Sequence, residues 1–116
     1  MTMTIDEIKI AYRMHATAHG KATMTGDYKA ANRSHDELVA LVPVMRSFGE
    51  AGTAALRELT EDADEAVVCW SATHLLASDE GKALGALEPL ARKPGPIGFN
   101  AKMVIQQWKK GELPLP

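Results

Sequence analysis

Cysteine is nearly absent from this chain: Cys69 stands alone among 116 residues. An intramolecular disulfide is therefore impossible, and no set of thiolates exists for a metal cluster. Aromatic residues make up only 5%, a poor supply for a β-sandwich, which draws on Val, Ile, Thr and aromatics. No apolar run approaches the roughly 20 residues that span a bilayer. The opening Met1-Thr2-Met3-Thr4-Ile5-Asp6-Glu7 lacks both the basic region and the apolar stretch of a signal peptide, so a cytoplasmic protein is expected. There is no excess of positive charge either. The formal net charge is −2, with seven residues of each sign in positions 1–58 and six basic against eight acidic in 59–116. That balance gives no broad surface for a phosphate backbone, so no nucleic-acid partner is expected. Gly-rich phosphate loops, nucleophile elbows and carboxylate pairs of catalytic spacing are missing as well. The chain reads as a non-enzyme without a cofactor.

What is present points to helices. Ala, Leu and Met dominate a hydrophobic fraction of 46%, a mixture suited to close helix packing. A chain of this length forms one domain over 1–116 and buries roughly 65% of its unfolded surface. Thr4-Ile5-Asp6-Glu7 has capping-box spacing, and Ile5, Ile8, Tyr12, His15 and His19 follow as a helical stripe. Gly20 is placed to end that helix. A second helix opens near Asp27 with the stripe Tyr28, Ala31, His35, Leu38 and Val42, and Pro43 ends or kinks it. A short segment covers 53–59.

Asp62-Ala63-Asp64-Glu65 then supplies an N-cap and an acidic first turn. The helix it opens, 66–77, is apolar nearly all round and is expected at the centre of the core. Ser78-Asp79-Glu80 opens a fifth helix through Ala91. Lys93-Pro94-Gly95-Pro96 forms part of a connector. A sixth helix is expected from Asn100 to Lys110, with Phe99 and Val104 as a hydrophobic staple and residues 112–116 as a loose tail. Short connections make neighbouring helices antiparallel. The N-caps Asp62 and Asn100 stand 38 positions apart (100 − 62), near the period of about 40 of HEAT-like helix pairs. The expected fold is all-α: a short right-handed stack of antiparallel helix pairs with about six helical segments.

The run Val67-Val68-Cys69-Trp70-Ser71-Ala72-Thr73-His74-Leu75-Leu76 resembles the inner helix of a HEAT repeat, although Val68 stands where such helices often carry arginine. With Gly26-Asp27-Tyr28, Ala31-Asn32-Arg33, Gly95-Pro96-Ile97-Gly98-Phe99-Asn100-Ala101, Trp108 and Gly111, the chain from about Gly26 onward resembles a family of small bacterial proteins of unknown function. That resemblance implies a HEAT- or armadillo-like helical scaffold and supplies no catalytic residues.

Three groups of side chains are candidates for function. Trp70 and His74, four apart on the central helix, line a shallow groove in one reading; in the other Trp70 fills the core and His74 caps its edge. His35 lies within the stripe of the second helix as a core residue, and Asn32 beside it hydrogen-bonds His15 or a loop carbonyl. Trp70, His74, Asn32 and His35 are the expected partner-binding set. His15 and His19 have the spacing of a metal-chelating pair, with Asp27 as a third ligand across the turn, although the glutamate of a metalloprotease helix is missing. The expected function is a non-enzymatic protein–protein interaction module that binds a protein or peptide, in the form of an immunity- or antitoxin-like inhibitor. The alternative is a small metal-binding protein or metal-dependent enzyme built on His15, His19 and Asp27. A monomer or weak homo-oligomer is expected.

Overall fold

The computed structural model describes residues 3–116; Met1 and Thr2, part of the expected domain, lie outside the described residues. Among the described residues six helices follow one another: α1 Ile5–Thr25, α2 Tyr28–Arg46, α3 Glu50–Leu59, α4 Glu65–Leu75, α5 Glu80–Ala91 and α6 Gly95–Lys109. No strand occurs among the described residues. The helices form an all-α stack in which successive elements pack as pairs, and α4 sits against α1, α3, α5 and α6. Among the described residues no helix is long and apolar enough to cross a membrane.

The capping box forms as the sequence predicts. The Glu7 amide donates to Thr4 Oγ1 at 3.1 Å, and the Thr4 amide donates to Glu7 Oε1 at 2.9 Å. The end of α1 differs from the expectation. The helix runs through Gly20 to Thr25, and Gly26, at φ 73°, supplies the left-handed cap. Gly20 has another task. A Cβ there would stand 2.7 Å from the Cβ of Ala66, so its missing side chain lets α1 close on the start of α4.

Pro43 does not end α2, which continues to Arg46. Proline removes a single amide donor from a turn already near the helix end, and Ser47 still donates to the Pro43 carbonyl at 3.0 Å. α3 begins earlier than expected because Gly52 lies inside it, buried against the Met45 carbonyl where any side chain would collide.

α4 is the centre of the molecule. Ala66, Val67, Cys69, Ser71, Ala72, Thr73, His74 and Leu75 are all buried. Ser71 and Thr73 satisfy their hydroxyls by donating to the Val67 and Cys69 carbonyls at 2.7 Å. Ile8, Tyr12, Leu38, Val42, Met45, Leu87 and Ala101 complete the core from the other helices.

The N-cap of α4 is Asp64, whose carboxylate accepts the Ala66 amide at 2.9 Å. Asp62, the expected cap, instead accepts the Asp64 amide at 2.8 Å and pairs with Arg13 at 2.7 Å. Asp64 also accepts the Thr17 hydroxyl at 2.7 Å. One acidic turn thus starts α4 and ties it to α1.

α6 opens at Gly95, with Pro96 in its first turn, five residues before the expected Asn100. Proline is tolerated there because the first helical amides have no intrahelical acceptor. Asn100 is therefore not a cap, and the 38-residue interval between caps disappears with it. Phe99 is 67% exposed and forms no staple. Trp108 does hold α6 down: its indole N–H donates to Glu80 at 2.6 Å. The tail is not loose. Leu113 and Leu115 pack against the core, the Glu112 amide donates to the Gln107 carbonyl at 2.9 Å, and Arg46 donates to the Pro116 carbonyl.

Candidate functional site

Helix α4 carries Trp70 and His74 one turn apart, but the structure separates their surroundings. His74 is only 2% exposed. It is a core residue rather than part of an open groove or an edge cap, because Tyr12 of α1 shares a 2.6 Å hydrogen bond with its Nδ1. Burial, then the positive charge of Arg46, then His35, push the His74 pKa down to about 4. Burial, assisted by Cys69, raises the Tyr12 phenol well above its ordinary value. Both partners are neutral near pH 7, and their hydrogen bond satisfies both buried groups.

Trp70 lies above this pair, half-buried, among three imidazoles. The ring centroids of His19, His74 and His35 are 5.1, 5.6 and 5.7 Å from that of Trp70. The Trp70 Nε1–H donates to His19 Nδ1 at 3.4 Å. An indole nitrogen only donates, so His19 Nδ1 carries no proton and its hydrogen resides on Nε2. Burial, with His35 second, lowers the His19 pKa and favours that neutral form.

His35 occupies the exposed rim, not the core. Ala31, Leu38 and Val42 continue the buried stripe without it, and its Nδ1 stands 3.3 Å from Asp36. Asn32 is exposed on α2. Of the four expected partner-binding residues, Trp70 and His35 thus share a surface, His74 is sealed beneath it, and Asn32 is exposed on α2.

The structure does not gather His15, His19 and Asp27. Because α1 continues to Thr25, Asp27 is carried two turns past His19 and caps α2, accepting the Ala30 amide at 3.1 Å. His19 faces Trp70 instead. Among the described residues no three His, Cys, Asp or Glu side chains converge as a metal-binding group.

A pocket of about 340 Å³ opens beside Trp70, between the second half of α1, the start of α4 and the first turn of α6. His19, Gly20, Met24, Trp70, Pro96 and Ile97 form most of its wall. Cys69 lies in its floor, receiving an N–H from Asn100 at 3.4 Å, and burial raises the thiol's pKa. An inert thiol results. Gly20, Met24, Ala66 and Ile97 also border a second, more open furrow that leads toward Lys21, Asp64, Glu65 and Lys93. The groove is therefore apolar at one end and carries charges of both signs at the other.

Sequence periodicity does not single out Met24, Pro96, Ile97 or Asn100, because all lie at segment ends whose composition suggests turns. Met24, an unbranched apolar residue, lies outside the buried stripe of α1 and is left 74% exposed. No family model, curated protein or solved structure matches the chain. The kinship expected from the Gly98-Phe99 segment therefore rests on the sequence alone.

Proposed function

We propose that this chain is a non-enzymatic, cytoplasmic interaction module that holds a segment of a partner protein in the groove between α1, α4 and α6. The observation that carries this reading is the half-buried Trp70 in an apolar pocket whose rim includes the exposed Met24. Tryptophan in a partly desolvated recess is the side-chain chemistry most enriched where binding energy concentrates. The pocket volume is near the bottom of the range of about 300–1,000 Å³ for small-molecule sites. Its continuation into the charged furrow favours an extended, amphipathic segment over a compact ligand. The residues with shifted pKa values argue in the same direction. Tyr12 and His74 are sealed and bonded to each other, and His19 is committed to Trp70.

Selection from a random peptide library displayed on phage tests the proposal. Peptides enriched on the native chain should lose binding at least tenfold to Met24→Asp and to Asn100→Arg, both at exposed positions. Failure to enrich any peptide, or enriched peptides indifferent to both substitutions, overturns it.

A further inference from the structure

A second surface lies on the back of α1. Ile10 and Met14 leave 70% and 58% of their area in solvent, on the side of the helix opposite the buried Ile8, Tyr12 and Ala16. With Glu7, Thr17 and Lys21 they form a row whose intervals alternate between three and four residues. That alternation is the register of a helix–helix seam. Helices α2, α3 and α4 occupy the other sides of α1, and only the Thr17 hydroxyl, donated to Asp64, is drawn from the row toward the fold.

The order of residue types along the row is self-complementary when read backwards. Met14 falls at its midpoint, Ile10 mirrors Thr17, and Glu7 mirrors Lys21. We propose that the occupant of this face is α1 of a second copy of the chain, packed antiparallel about a two-fold axis at Met14. Met14 then meets Met14, and Ile10 packs beside Thr17 on both sides of the axis. Glu7 of each copy stands opposite Lys21 of the other. Parallel pairing sets Glu7 against Glu7 and Lys21 against Lys21, so charge selects the antiparallel arrangement.

The charged pair is available for this contact. Both side chains are exposed, and Lys21 joins none of the ion pairs among the described residues. Glu7 uses Oε1 for the Thr4 amide and retains Oε2. The same patch on both partners gives a closed pair rather than a filament. From Glu7 to Lys21 the seam runs about 21 Å at 1.5 Å per residue, a small contact that gives a concentration-dependent dimer. The seam shares Thr17 and Lys21 with the charged furrow but none of the residues that line the pocket beside Trp70.

Sedimentation equilibrium from micromolar to millimolar chain concentration provides the test. The native mass should rise from 12.5 kDa toward twice that value. Lys21→Glu and Glu7→Lys should each weaken association at least tenfold when alone. Mixed in equal amounts they should restore it, because every Glu7–Lys21 pairing is then again of opposite sign. Glu7→Lys also removes a helix cap, so circular dichroism accompanies it. Met14→Glu disturbs no cap and decides by itself, since it sets two carboxylates on the axis. A native chain that stays monomeric throughout, a Met14→Glu chain that dimerises like the native one, or two folded charge variants that do not rescue each other overturns the proposal.

Discussion

Tyr12 and His74, 62 positions apart, share a 2.6 Å hydrogen bond in the interior, and it fastens the first helix to the central one. Their rings meet nearly edge to face, with an interplanar angle of 80°. The bond leaves both neutral groups satisfied where water cannot reach them.

Removing one partner should therefore cost more than removing both. Tyr12→Phe leaves Nδ1 of His74 unpaired in the core and should destabilise the fold by about 1–3 kcal/mol. The double variant Tyr12→Phe, His74→Leu should recover part of that loss. Urea unfolding of the native chain, both single variants and the double variant measures the coupling.

Acid should weaken the fold through His74. Its folded pKa of about 4 lies below the unfolded value of 6.5. Between those values the unfolded chain takes up a proton that the folded chain refuses, so stability falls as pH drops through this window. The gap between the two pKa values sets the full loss at roughly 3 kcal/mol. His19, also lowered, acts in the same direction. Unfolding midpoints measured from pH 7.5 to 4 should show the decline, and His74→Leu should flatten most of it.

The close approach of α1 and α4 makes Gly20 sensitive to any side chain. Gly20→Ala places a methyl group 2.7 Å from Ala66 Cβ and should cost about 1–3 kcal/mol. Adding Ala66→Gly should relieve part of the clash. Thermal unfolding of both variants checks this, and Gly81→Ala, where a Cβ meets nothing within 4 Å, is the control.

Asp64 serves two helices, so Asp64→Ala should lose both the cap on the Ala66 amide and the Thr17 bond, about 1–2 kcal/mol in all. Thr17→Val removes only the second and should cost less. Chemical denaturation of both variants distinguishes the contributions.

The sequence reveals the helices whose signals are local. Thr4 and Glu7 mark the start of α1 because a capping box lies within four residues, and α4 declares its central place by being apolar nearly all round. It misleads where the cause is distant. Gly20 has the residue type of a helix end, yet its purpose is Ala66, a residue in another helix. Pro94 and Pro96 suggest a connector, although a first helical turn accepts proline.

The site is harder to read than the fold for the same reason. Periodicity places His35 on the buried stripe of α2 and makes His74 a candidate for an exposed edge. Which histidine is sealed depends on Tyr12 and Trp70, whose positions only tertiary packing decides. Trp70 is legible as a binding candidate, whereas Met24 and Ile97, drawn together from distant segment ends, are not.

The most direct test of the proposed function is the nuclear magnetic resonance footprint of a library-selected peptide on the isotopically labelled chain. Shifts should concentrate at the Trp70 indole N–H and at the amides of Met24, Ile97 and Asn100, while α5 and the α2–α3 junction stay unchanged. A footprint centred elsewhere, with the Trp70 indole signal unmoved at saturation, would contradict the account.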